Sequence, residues 1–282
     1  MRILLTGGGT GGHLFPLLAV TRQIKKLIAQ NIWQIPPGEG EKVDFVFVGP
    51  ISIEEEIFLK ENITVKKIFS GKWRRYNSWE NIIDIFKLPL GFCQALWHLF
   101  WLMPNAVFSK GGYGSVPVVL AAWIFRIPIL IHESDAVPGL ANRLCAKFAS
   151  RIAISFSEAE SFFPTQKTAL TGNPVREDIQ NGSFEEAKKI FNLVGAKHLI
   201  LVLGGSQGAQ ALNNTILDSL NHLLTRCEII HQCGIANFEE IKQFFNNQPW
   251  PQEYHPVPFL NEEELRAAYA AGWSAGRESL VY

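Results

Sequence analysis

The sequence predicts an α/β protein of two Rossmann-like halves, on three observations. Short apolar or β-branched runs alternate with helix-length stretches along the chain, the pattern of βαβ units around a parallel sheet. Two of these runs, Ile3-Leu4-Leu5-Thr6 and Ile200-Leu201-Val202-Leu203, pass directly into glycine loops followed by helical stretches, so each opens a half of its own. A length of 282 residues with 47% hydrophobic content lies near the size at which one core divides into two.

The expected strands, in order, are 3–6, 43–48, 106–109, 127–132, 151–155, 198–203 and 228–233. Pro16 is expected near the start of the first helix, and a helix from Ala209 to about Leu224 follows the second glycine loop. Gly172, Pro174, Asn181 and Gly182 concentrate chain breakers, which sets the domains at 1–175 and 176–282. The apolar stretch from Ile82 to Met103 is interrupted by Asp84, Lys87, Pro89 and His98, which argues against a membrane span. Lys and Arg number 26 against 26 Asp and Glu, so a strongly basic nucleic-acid binder is excluded, as is a disordered chain. The four cysteines form no C-x-x-C pair and the chain opens on a strand rather than a signal sequence, from which a reducing cytoplasm and free, mostly buried thiols are expected.

Gly7, Gly9 and Gly12 satisfy G-x-G-x-x-G, whose amides converge on a helix N-terminus suited to an anion. A dinucleotide site asks in addition for an acidic residue ending the second strand, where this chain has Val48-Gly49-Pro50. A plain tight turn is the bland alternative. His13 tips the balance toward chemistry, because a titratable ring in an anion-binding turn can take a proton from a bound hydroxyl. Gly204-Gly205-Ser206-Gln207-Gly208 satisfies G-x-S-x-G, so an esterase with nucleophile Ser206 is a rival, drawing on Asp218 and on His222, His231 or His255. A third glycine segment, Ser109-Lys110-Gly111-Gly112-Tyr113-Gly114, and the polar run His132-Glu133-Ser134-Asp135 also end strands. The loops at 7–13, 109–115 and 132–139 are therefore expected along one edge of the first half.

These segments resemble the signature blocks of the MurG glycosyltransferases of peptidoglycan synthesis. The matching blocks run in the family's order: Gly7 to Pro16, Gly71-Lys72-Trp73-Arg74-Arg75-Tyr76, Ser109 to Tyr113, His132-Glu133, Pro138-Gly139-Leu140-Ala141-Asn142, Gly172-Asn173-Pro174-Val175-Arg176 and Gly204 to Ala209. The resemblance implies the two-domain GT-B fold and inverting transfer of N-acetylglucosamine from UDP-GlcNAc to the C4 hydroxyl of undecaprenyl-diphosphoryl-MurNAc-pentapeptide. It implies His13 as base with Glu133 as second candidate, and the loop of Thr10, Gly11 and Gly12 at the lipid diphosphate. Asp135 falls near the donor sugar, Ser206 at the UDP phosphates, Arg176 near the interdomain cleft and the Leu260 backbone at the uracil. No metal or other cofactor is called for. The expected location is peripheral, on the cytoplasmic face of the cell membrane, where the aromatic stretch 79–103 beside Lys66, Lys67, Lys72, Arg74 and Arg75 suits an anionic surface.

Two departures carry expectations of their own. Ser134-Asp135 stands where the family usually has Gln-Asn, which exchanges a neutral amide for a carboxylate. After Ala271 the match to the family stops, so a fragment, split gene or frameshifted product with an incomplete second domain is expected, with little or no transferase activity of its own and with donor binding weakened more than acceptor binding. The competing readings are a noncatalytic nucleotide or lipid-diphosphate binder and a dinucleotide-dependent oxidoreductase.

Overall fold

The computed structural model describes residues 1–8, 11–36, 42–50, 55–70, 79–175, 182–195, 197–204, 208–246 and 249–274, with backbone alone for 11, 79–86 and 272–274. The chain divides into two compact units, Met1–Val175 and Arg176–Tyr282.

The first unit runs β1 (Arg2–Thr6), α1 (Gly11–Ala29), β2 (Asp44–Gly49), α2 (Glu55–Lys60), β3 (Thr64–Lys67), α3 (Trp79–Leu102), β4 (Ala106–Ser109), α4 (Val116–Ile124), β5 (Ile129–Glu133), α5 (Leu140–Cys145), β6 (Arg151–Ile154) and β7 (Thr168–Leu170). Its seven strands form one sheet in the order β3-β2-β1-β4-β5-β6-β7, and every pairing is parallel. Alternation along the strands builds a core on each face. Ile3, Leu5, Phe45 and Phe47 pack against Leu14, Leu17 and Leu18 of α1 and Phe58 of α2. Leu4, Val46, Val48, Val107 and Ile131 point the other way, onto Ala95 and Leu99 of α3 and Val118, Val119 and Ala122 of α4.

The second unit continues with α6 (Phe184–Phe191), β8 (His198–Leu203), α7 (Gln210–Leu223), β9 (Cys227–Gln232), α8 (Phe238–Phe244), β10 (Tyr254–Val257) and α9 (Glu262–Ser274). Its described strands form a parallel sheet in the order β10-β9-β8. Leu199 and Leu201 face α6 and α9, while Ile200 and Val202 face α7 and α8. Ser183 caps α6 reciprocally with Glu186, each side chain accepting the other's amide at 3.2 Å. Asn261 and Glu264 open α9 in the same way at 2.9 Å.

Three strands were not anticipated, and all are short edge or near-edge pieces. β3 reads Thr-Val-Lys-Lys, β7 has three residues, and β10 carries Pro256, which an edge strand tolerates because one side of its backbone needs no partner. Helix α1 begins at Gly11, so Pro16 lies inside it rather than at its first turn. Proline there removes the amide that would have bonded the Gly12 carbonyl. The stretch from Trp79 forms one helix that contains Pro89, and no described helix is long and apolar enough to cross a membrane.

Candidate functional site

The strand order reverses between β1 and β4, since β2 and β3 extend the sheet one way and β5 to β7 the other. In open parallel sheets the crevice at that reversal, outside the carboxyl ends of the strands, is where ligands bind. Here the loops that follow β1 and β4 meet backbone to backbone. The Gly8 amide donates to the Gly111 carbonyl at 2.8 Å and the Lys110 amide to the Thr6 carbonyl at 2.9 Å. Gly112 sits at φ 83°, and a Cβ on it would come within 2.9 Å of the Gly8 backbone and 3.1 Å of His13 Nε2. Only glycine fits that position, and the approach brings the imidazole against both loops.

His13 lies in the first turn of α1, half-buried, so the ring is held where the helix N-terminus opens. Its Nδ1 is buried and meets no hydrogen-bond partner among the described residues. Burial is the main cause that lowers its pKa, and the Lys110 charge adds to it. The Lys110 carbonyl, Asp135 and Glu133 pull the other way. The ring is therefore biased toward the neutral form, which can accept a proton.

Glu133, which ends β5, is only 4% exposed and fully employed. Its Oε1 accepts the Asp135 amide at 3.0 Å, and its Oε2 accepts the Gly139 amide at 3.2 Å and Asn142 Nδ2 at 2.9 Å. A carboxylate holding three N–H groups ties the 134–139 loop to α5, which suits it to shaping the crevice. Asp135 is exposed on that loop. The neighbouring His132 is buried and donates through Nε2 to the Gly172 carbonyl at 3.0 Å, and burial lowers its pKa.

Two residues at this edge escaped the sequence reading as individuals, although both lie in quoted segments. Asn142 bridges Glu133 and the His132 carbonyl, with its Oδ1 buried against Gly111. Lys110 has a side chain only 1% exposed, and burial lowers its pKa against the opposing pull of Glu133 and Asp135. The signal for Lys110 was its position directly after the apolar strand Ala106–Ser109. Gly12 is exposed in the first turn of α1 and Gly11 opens that helix, while Thr10 lies outside the described residues. No group of three or more His, Cys, Asp or Glu among the described residues is arranged to hold a metal ion.

In the second unit, Ser206 and Arg176 lie outside the described residues. The ends of the Ser206 loop are described: the Gly204 amide donates to the Gln232 carbonyl at 3.0 Å, and Gly208 has φ 77° with the Cys233 carbonyl 2.3 Å from where a Cβ would stand. Leu260 is buried among Ala187, Phe191 and Ala267, so its side chain is structural and only its backbone remains for a ligand. The three histidines offered to an esterase triad are poorly placed for one. His255 bonds Glu228 Oε1 at 2.9 Å near the amino ends of β9 and β10, opposite the loop edge, and His222 lies in the last turn of α7. His231 is fully buried with both nitrogens taken, Nδ1 by the Tyr254 hydroxyl at 2.8 Å and Nε2 by Asn213 Oδ1 at 3.0 Å.

Comparison with known proteins agrees with this architecture. Residues 3–154 match the glycosyltransferase family 28 N-terminal domain and residues 199–271 the family's C-terminal domain. A protein of Bacillus thuringiensis (strain Al Hakam) named UDP-N-acetylglucosamine--N-acetylmuramyl-(pentapeptide) pyrophosphoryl-undecaprenol N-acetylglucosamine transferase 3 is 39% identical over 243 residues, or 86% of this chain. This chain spans 65% of that relative's length. The crystal structure of Acinetobacter baumannii MurG superposes with a TM-score of 0.58 at 26% identity, covering 92% of this chain and 66% of that one. A UDP-GlcNAc 2-epimerase from Methanocaldococcus jannaschii shares the fold, with a TM-score of 0.63 at 13% identity over 100% of this chain and 83% of its own. With both domain models matched in order, and the first alone covering more than half of its residues, the chain belongs to glycosyltransferase family 28.

Proposed function

We propose that this chain carries the transfer of N-acetylglucosamine from UDP-GlcNAc to the MurNAc C4 hydroxyl of undecaprenyl-diphosphoryl-MurNAc-pentapeptide, with inversion at the anomeric carbon. The observation that carries the reading is His13, biased toward its neutral form in the first turn of α1 and wedged against two glycine loops at the strand-order reversal. In the reaction the acceptor oxygen bonds to the anomeric carbon as the bond from that carbon to the UDP phosphate breaks. UDP leaves with the electron pair, and the hydroxyl proton passes to the His13 imidazole. The start of α1 at Gly11 and Gly12, with Thr10 just before it in the sequence, is assigned to the acceptor diphosphate, because the first turn of a helix and its dipole favour an anion. In this reading Asp135 serves the donor sugar, Ser206 the UDP phosphates and the Leu260 backbone the uracil. The first unit then takes the acceptor and the second the donor. The printed names of the curated relatives support the same chemistry.

The acceptor's lipid requires work at a bilayer surface, and α3 supports that. Phe92, Ala95, Leu96, Leu99 and Leu102 form its inner stripe, yet the opposite side is also apolar, with Trp97 62% and Trp101 66% exposed beside Leu90 and Phe100. Lys66 and Lys67 lie on β3, and Lys72, Arg74 and Arg75 fall outside the described residues. Peripheral attachment on the cytoplasmic face follows, with sedimentation on anionic vesicles as its check; equal recovery in the supernatant with and without vesicles contradicts it.

Ligand protection separates the transferase from its rivals. UDP-GlcNAc or a short-chain lipid-diphosphate acceptor analogue is expected to raise the Tm, whereas NAD leaves it unchanged. Stabilisation by NAD alone overturns the reading in favour of an oxidoreductase.

A further inference from the structure

Lys110 is the least expected residue at the crevice. It follows the last residue of β4, its side chain is 1% exposed, and among the described residues no carboxylate pairs with its ammonium. A lysine buried to that extent ordinarily has an ion-pair partner, because an unpaired ammonium is costly to remove from water. Its amide donates a hydrogen bond to the Thr6 carbonyl, and the carbonyl of the next residue, Gly111, accepts the Gly8 amide. The same loop carries Gly112, against which the His13 ring rests. The loop that carries Lys110 is thus packed against the histidine that the proposed reaction uses as base.

Lys110 follows β4, and Glu133 and Asp135 belong to the end of β5 and its loop. Among the described residues these three are the charged groups that act on His13. Glu133 accepts three N–H donors and Asp135 is exposed to water, whereas Lys110 is 1% exposed and forms no ion pair among the described residues, the two carboxylates acting on it from longer range. A desolvated like charge disfavours protonation of a neighbouring base, and at His13 the Lys110 charge outweighs that of either carboxylate.

We propose that Lys110 is a positioning residue whose buried ammonium keeps the His13 imidazole unprotonated, and so ready to receive the acceptor's proton. This deepens the transferase reading and rests on it for the identity of the base, but not for the electrostatic coupling between the two side chains. Lys110 itself touches no reacting atom in this account.

The test reads the coupling without requiring turnover. The titration of His13 is followed by NMR of the imidazole Cε1–H signal, assigned among the seven histidines with His13→Gln. In Lys110→Met, which keeps the length of the stem, the His13 midpoint is expected at higher pH than in the parent, and in Lys110→Arg it is expected unchanged. Should Lys110→Met fail to fold, Lys110→Gln is expected to give the same upward movement. An unchanged His13 midpoint in the neutral variant overturns the proposal. In the transfer assay the acid limb of kcat/KM should move to higher pH in Lys110→Met, with kcat recovered on the alkaline side, a change that damaged packing would not produce. A shifted NMR midpoint in a chain that transfers no sugar would leave the coupling standing and remove the reaction assigned to it.

Discussion

His13 and His231 sit in comparable places, each beside the carboxyl edge of a parallel sheet, and they teach opposite lessons. His231 is fully buried, and its surroundings fix one tautomer. Asn213 Nδ2 donates to the Cys233 carbonyl at 2.9 Å, so Asn213 Oδ1 must accept from His231 Nε2–H, and the Tyr254 hydroxyl donates to Nδ1. Every polar atom in that chain has a partner, and its effect is to fix the loop after β9. His13 is less buried, yet its Nδ1 has no partner among the described residues, and its neighbours include glycines of two loops. A buried ring with all its bonds made is architecture; one with a bond left over at a crevice is available for chemistry.

The largest expected difference between the two is catalytic. In a version of the chain extended to the length of its curated relatives, His13→Ala should lower turnover by about 10²–10⁴-fold with little change in the KM for UDP-GlcNAc or in Tm, the signature of a lost general base. An effect confined to the acceptor KM would make His13 a binding residue.

The second difference is thermodynamic and belongs to His231. Burial pushes its pKa down from 6.5 to about 4, so the unfolded chain binds this proton more readily than the folded one. The stability it contributes is fully present above pH 6.5 and is lost as pH falls toward 4, by about 3 kcal/mol over that window. Hydrogen exchange of the β8, β9 and β10 amides between pH 7 and 4 measures it. Acid sensitivity of equal size in His231→Phe would show that another group is responsible.

The smallest separates Glu133 from His13. Glu133→Gln turns one of its acceptor oxygens into a donor facing N–H groups, at a cost of about 2 kcal/mol in loop stability. Turnover should fall far less than in His13→Ala. A loss matching that of His13→Ala, without loss of stability, would make Glu133 the base.

Much of this edge was legible in the sequence because its signals are local. Apolar strands that end in glycine, as at Thr6-Gly7 and Ser109 to Gly112, mark both a parallel sheet and the carboxyl ends where its loops gather. β3, β7 and β10 were not legible, since Lys66 and Lys67, a three-residue length and Pro256 hide edge strands whose pairing is set by their neighbours. Lys110 was readable as part of a motif but not as a buried cation, because a lone lysine after a strand reads as solvated until tertiary packing closes over it. The engagement of Glu133 was hidden for the same reason: its partners, Gly139 and Asn142, come from a loop and a helix folded back upon it.

The central claim is that His13 serves sugar transfer at the crevice of the first unit. Its most direct test is to incubate a version of the chain extended to the length of its curated relatives with UDP-GlcNAc and a short-chain analogue of the lipid-diphosphate muramoyl pentapeptide, and to analyse the acceptor by mass spectrometry. The account predicts acceptor carrying one added N-acetylhexosamine, β-linked at the C4 hydroxyl, formed by the extended chain and not detectably by its His13→Ala variant in the same time. Equal product from both chains, or UDP release with no sugar on the acceptor, would contradict it.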